Sequence, residues 1–147
     1  MKKLTEKRKT GNLGEDLACR FLMKRGFDII ERNYYKKCGE IDIIAKNKGK
    51  LHFVEVKSVS MAGQACETIP DVSDETDSKD RFRPEDNVHP WKLQRLARTI
   101  QVYLAEKTVS GLPAQAGETD WQFDVITVYI DKKRLISRVS MLENVII

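Results

Sequence analysis

The chain has 147 residues, with 26 Lys plus Arg against 22 Asp plus Glu, a formal net charge of +4 and an apolar share of 41%. A chain of this length suits one domain burying roughly 70% of its unfolded surface, which excludes a disulfide-held miniprotein and a wholly disordered polymer. Three cysteines without C-x-x-C spacing (Cys19, Cys38, Cys66) argue against a disulfide framework or a zinc site, and no apolar run approaches the ~20 residues of a bilayer span, so a reduced cytoplasmic setting is expected.

Residues 1–10 carry five basic groups against Glu6 and read as a solvated, frayed tail. Asn12 to Arg25 reads as a helix, with Leu13, Leu17, Phe21 and Leu22 on one apolar stripe and Gly26 at the position of a terminating glycine. Phe27–Tyr35, Glu40–Lys46 and Leu51–Val59 read as three strands, joined by turns at Cys38-Gly39 and at residues 47–50 that favour antiparallel hairpins. The segment from Ser60 to His89, about 60–88 at its core, holds eight acidic residues against three basic ones and has no periodicity. It is either a plain surface loop or an acidic segment that competes with a polyanion for a basic groove. Pro90 opens a second helix, with Leu93, Leu96, Ile100 and Leu104 on its apolar face and Lys92, Arg95 and Arg98 on a basic ridge. A loop over 108–119, a strand over Trp121–Ile130, a turn at 131–133 and a strand over Arg134–Ser140 complete the chain. The element order is α-β-β-β-α-β-β, and the whole reads as one domain over 1–147.

Candidate chemistry rests on carboxylates and one lysine. His52 and His89 have neither a partner spacing nor a nucleophile nearby and read as structural or exposed. On the third strand, alternation puts Glu55 and Lys57 on one face and Val54 and Val56 on the other. The apolar setting makes Glu55 a buried charge that needs a cation beside it. On the second strand Ile41 and Ile43 are expected on one face, and Glu40, Asp42 and Ile44 on the other. A hairpin about residues 47–50 then brings Asp42 near Glu55. Two such carboxylates suit Mg2+ or Mn2+, with Lys57 placed to orient a water or to stabilise phosphate charge.

An acid-x-Lys triplet alone carries no information: about two to three are expected by chance at this composition, and three occur, at Glu55–Lys57, Asp77–Lys79 and Asp131–Lys133. The setting carries the signal. Glu15 has two readings, an inward-facing acid or the partner of Asn12 in a capping box. Asp124 is either a ligand or the partner of a basic neighbour. Lys92, Arg95 and Arg98 are either a solvated face or a ridge that contacts phosphates.

Gly11-x-x-Gly14-Glu15-x-x-Ala18, Asn33-Tyr34, Gly39-Glu40-Ile41-Asp42-Ile43-Ile44-Ala45, Phe53-Val54-Glu55-Val56-Lys57 and Phe123-Asp124-Val125, in that order, resemble the YraN-like family of bacterial proteins. That family is similar to the PD-(D/E)XK, restriction-endonuclease-like superfamily, which includes archaeal Holliday-junction resolvases. The resemblance implies an α/β fold with an α-β-β-β-α-β core and a mixed sheet flanked by helices. It implies metal ligands at Asp42 and Glu55, Lys57 as the catalytic lysine and Glu15 as the acid of the first helix. Val59 stands where relatives often carry a basic residue, so one phosphate contact is missing from the pattern. The expected function is Mg2+- or Mn2+-dependent hydrolysis of phosphodiester bonds in DNA, including branched or structured DNA. Lys92, Arg95 and Arg98 would be the nucleic-acid-binding residues, and the resolvase-like relatives suggest a homodimer by analogy. The alternatives are a nucleic-acid-binding module without catalysis and a protein-interaction role for the acidic segment.

Overall fold

The first helix, α1, spans Glu6–Lys24 in the computed structural model and so begins well before Asn12. Thr5 is its N-cap, its side-chain oxygen accepting the Arg8 backbone N–H at 3.3 Å, which satisfies one of the N–H groups that a first turn leaves without a helical partner. The frayed-tail reading is therefore corrected for residues 6–10, and the capping box at Asn12 and Glu15 is overturned, because both residues lie inside the helix.

The buried side of α1 is also rotated from the expected stripe. Ala18 and Leu22 are fully buried, whereas Leu13 is exposed. Gly14 gives the reason: a Cβ there would stand 1.8 Å from Ser58 Oγ. The helix thus meets the sheet along the row Gly14, Ala18 and Leu22, and Leu17 and Phe21 pack at its flank. At the other end Gly26 adopts φ 87°. Its N–H donates to the Met23 carbonyl (3.1 Å) and that of Phe27 to the Leu22 carbonyl (3.0 Å), the paired bonds that close a helix on glycine.

The structure describes residues 5–60, 90–109, 120–131, 133 and 136–147. The acidic segment beyond Ser60 and most of the loop over 108–119 lie outside the described residues, as do the first two residues of the expected last strand.

Five strands follow α1: β1 (Asp28–Lys36), β2 (Gly39–Asn47), β3 (Lys50–Ser60) and, after helix α2 (Pro90–Val109), β4 (Trp121–Asp131) and β5 (Ile136–Leu142). They form one sheet in the order β1-β2-β3-β4-β5. The β1–β2, β2–β3 and β4–β5 pairs are antiparallel and β3–β4 is parallel, from Leu51↔Trp121 to Ser60↔Ile130. A parallel pair needs a long crossover, here the connection that carries α2. The core divides by sheet face. Ala18 and Leu22 pack on Ile43, Ala45, Val54, Ile126 and Val128, while Leu96, Ile100 and Tyr103 of α2 pack on Ile44, Phe53, Phe123 and Val125. The fold is α/β with a mixed sheet between two helices, as expected, and its element order is that of a restriction-endonuclease-like core with one further strand.

The C-terminal residues are stitched to the middle of the sheet. Asp124 is fully buried. Its Oδ2 contacts His52 Nδ1 at 2.7 Å, and its Oδ1 accepts Gln122 Nε2 at 2.7 Å and the Asn144 N–H at 2.9 Å. The Val145 N–H donates to the Phe123 carbonyl at 2.7 Å. Of the two readings of Asp124, the structure bears out pairing with a basic neighbour. Among the described residues no helix is long and apolar enough to cross a membrane.

Candidate active site

Strand alternation in β2 breaks at Asp42. Ile43 and Ala45 pack on the α1 side and Ile44 on the α2 side, yet Ile41 also packs on the α2 side. The expectation that Ile41 and Ile43 share a face is thus corrected. The cause lies in the neighbouring strand. Asn33 has φ 54°, and the β1–β2 register passes from Arg32↔Ile43 to Tyr34↔Ile41 without pairing Asn33 to Asp42. A left-handed residue turns its strand locally, and asparagine tolerates that backbone better than most side chains.

The β2–β3 ladder runs from Asn47↔Lys50 to Ile43↔Val54, so its next step sets Asp42 beside Glu55. There Asp42 Oδ2 accepts the Val56 N–H at 2.8 Å, a bond that a strand carbonyl would otherwise take. Glu55 is 6% exposed. Burial, then the Glu55 charge, pushes the Asp42 carboxyl up to about 8, against the opposing pull of the Val56 N–H. This is the convergence expected of Asp42 and Glu55.

Two cations stand close. Lys92 Nζ, from the first turn of α2, contacts Glu55 Oε1 at 2.6 Å. Lys57, on the Glu55 face of β3, has its ammonium pKa lowered by burial and then by Lys92, with Glu55 opposing. Across the parallel ladder Lys57 pairs with Thr127, whose buried Oγ1 has no hydrogen-bond partner among the described residues. A cavity of about 300 Å³ opens here, lined by Glu40, Asp42 and Glu55 from the sheet and by Trp91, Lys92 and Arg95 from α2.

Glu15 joins this group from α1. Its side chain is 18% exposed and lies 3.5 Å from Arg32 Nη2, while the same guanidinium nitrogen holds Asp16 at 2.9 Å. Asn33 links it to the sheet. With its amide oriented to satisfy both ends, the nitrogen donates to the two Glu15 oxygens (3.2 Å each) and to Glu40 Oε1 (3.1 Å). The Glu40 carboxyl is held above its ordinary value by burial, then by Glu15 and Glu55, with Lys92 opposing. Asn33 is the site residue that sequence reasoning missed. Its motif was visible beside Tyr34, but nothing in residue type or spacing signals a left-handed backbone.

The basic ridge divides. Lys92 and Arg95 line the cavity, with Arg95 Nε donating to the Cys38 carbonyl at 3.0 Å, and Arg98 is exposed outside the lining. Among the described residues no three His, Cys, Asp or Glu side chains form a ready ligand cluster. The Asp42–Glu55 pair still fits a divalent ion. It offers two hard oxygen donors whose mutual repulsion a dication would relieve, and magnesium takes one or two protein carboxylates and fills its remaining positions with water and phosphate oxygens.

Residues 14–128 match the family described as Uncharacterised protein family UPF0102. A UPF0102 protein of Campylobacter jejuni subsp. jejuni serotype O:23/36 (strain 81-176) is 35% identical over 130 residues, covering 88% of this chain and 92% of its own length. One from Helicobacter pylori (strain HPAG1) is 39% identical over 100 residues, 68% of this chain and 70% of its own. The match takes in α1 from Gly14 onward, the three-strand unit with both carboxylates, α2 and most of β4, and on that extent the chain belongs to the UPF0102 family.

Proposed function

We propose that the protein is a Mg2+- or Mn2+-dependent phosphodiesterase acting on DNA. The observation that supports this reading is the Asp42–Glu55 pair, two carboxyls forced together on adjacent strands with Lys57 on the same face. Asp42 and Glu55 would hold the ion, which when bound supplies a positive charge to polarise the scissile phosphate. Val56 N–H keeps the Asp42 carboxylate aimed at the site. Lys57, with its lowered pKa, is biased toward giving up a proton and so suits orienting a water or accepting its proton. Glu15 and Glu40, joined through Asn33, add negative charge beside the pair and strengthen its call for a dication. Lys92, Arg95 and Arg98 would attract the DNA backbone, a contact that reads no sequence.

Incubating the protein with linear, nicked and branched DNA in magnesium or manganese tests this. Glu55→Ala and Lys57→Ala are expected to abolish metal-dependent cleavage while DNA binding persists. Cleavage that survives either substitution, or that proceeds in chelator, overturns the reading.

One observation favours a second reading, a DNA-binding module without catalysis. Lys92 Nζ contacts Glu55 Oε1 at 2.6 Å, so a lysine partners one of the two carboxyls. If Lys92→Ala leaves the protein inert toward every DNA form in manganese while binding is retained, the binding module is the better account.

A further inference from the structure

Two large aromatic side chains stand at the mouth of the cavity that holds the carboxylate pair. Tyr35, from the end of β1, is 72% exposed, and Trp91, from the first turn of α2, is 52% exposed. A single exposed aromatic needs no explanation. Two of them on different elements, converging on one charged pocket, make a surface of a particular kind. The Arg95 guanidinium lies over the Trp91 ring, 5.6 Å from its centroid. Its Nε is anchored on the Cys38 carbonyl at 3.0 Å, which uses one of the five N–H donors of the group. The rim therefore combines flat π faces with an oriented cation, directly beside acids suited to a phosphate-bridging dication.

This is the chemistry that holds an unpaired nucleotide. A base presents a face to an aromatic ring only when it is unstacked, and such stacking tolerates any base. In a continuous duplex the bases are shielded inside the stack and only phosphates and groove edges reach a protein surface. We infer that Tyr35 and Trp91 stack an unpaired DNA base next to the carboxylate pair, so that the site takes single-stranded or frayed DNA in preference to continuous duplex. The inference rests on the phosphodiesterase reading for the role of the acids, and on the rim alone for the base.

The test uses the full chain in calcium at fixed low salt. Fluorescence anisotropy reads its affinity for three probes: a short labelled oligothymidylate, an abasic strand of equal length, and a blunt duplex. The thymidylate is expected to bind roughly 5- to 150-fold more tightly than the abasic strand for each stacked base. Trp91→Ala should erase that preference, and Trp91→Phe, which keeps a ring, should retain most of it. Tyr35→Ala provides the second arm, and circular dichroism melting checks that each variant folds. Equal affinity for thymidylate and abasic strands overturns the inference, as does a preference untouched by both alanine variants or tighter binding of the duplex. Cleavage in manganese is scored in parallel. Base preference without cleavage upholds the stacking rim and defeats the phosphodiesterase; cleavage without base preference does the reverse.

Discussion

Asn33 shows how much one backbone angle can set. Its φ of 54° interrupts the register opposite Asp42, and its amide bridges Glu15 and Glu40. The two roles separate by substitution. Asn33→Gly keeps access to the left-handed backbone and loses the bridge, so its melting temperature should stay near wild type while metal-dependent cleavage falls. Asn33→Ala loses both and should cost about 1 kcal/mol of stability as well. Equal stability of the two variants would show that the angle carries no strain. Asp42 and Glu55 were legible because the turn at residues 47–50 sets the hairpin register, and that register places the two residues side by side, whereas the alternation expected on β2 breaks at Asp42. The Lys92–Glu55 contact was not, since the partners stand 37 positions apart and no local pattern links them.

Asp42 also carries a pH signature. Its folded-state pKa, about 8, lies above the ordinary carboxylate value. In the window from about pH 4 to about pH 8 the native state therefore binds more protons than the unfolded chain, and stability falls as pH rises through it. Thermal melts in chelator should show that decline, and Asp42→Asn should flatten it and stabilise the protein at pH 8 by on the order of 1 kcal/mol while abolishing cleavage. A binding dication favours the deprotonated pair, so magnesium or manganese should recover stability most at the alkaline end. A pH-independent melting temperature without metal would mean that Asp42 is ionised throughout.

At the scale of elements, α1 meets β3 through Gly14 and Ser58. Gly14→Ala would drive a Cβ to within 1.8 Å of Ser58 Oγ and 3.0 Å of its Cβ. The expected cost is about 1–3 kcal/mol by denaturant titration, with partial recovery in the Gly14→Ala, Ser58→Ala double variant. Strict additivity would show that the two residues do not touch. Because Glu15 follows Gly14, displacing the helix should also lower cleavage. The helix itself was legible over its second half, where apolar residues recur every three to four positions. Its first turns were not, because Lys7, Arg8 and Lys9 are charged in sequence and give apolar periodicity nothing to register, although Thr5 is a good cap in type. The close approach at Gly14 also misled the apolar stripe, since Gly14 and Ala18 touch the sheet above Leu22 while Leu13 is left exposed.

Across the whole molecule the antiparallel β1–β2–β3 unit is built from short turns and could be read directly. The parallel β3–β4 pair joins strands with 60 residues between their nearest ends, and its place in a mixed sheet came from family resemblance. That Asp124 pairs with a basic neighbour was one of its two readings, but that the neighbour is His52, 72 positions away, was hidden. His52→Ala or Asp124→Ala should each lower stability by about 2–4 kcal/mol, because the remaining partner stays buried without its bond. The double variant should lose less than the sum of the two.

The stitching of Asn144 and Val145 to Asp124 and Phe123 bears on how the protein is handled in the laboratory. Ile146, 92% exposed, stands just past those bonds, so an affinity handle appended after Ile147 should leave the melting curve unchanged. A truncation before Asn144 would instead strip a donor from a desolvated carboxylate at the centre of the domain, and gene designs that trim the final residues should yield a less heat-resistant product.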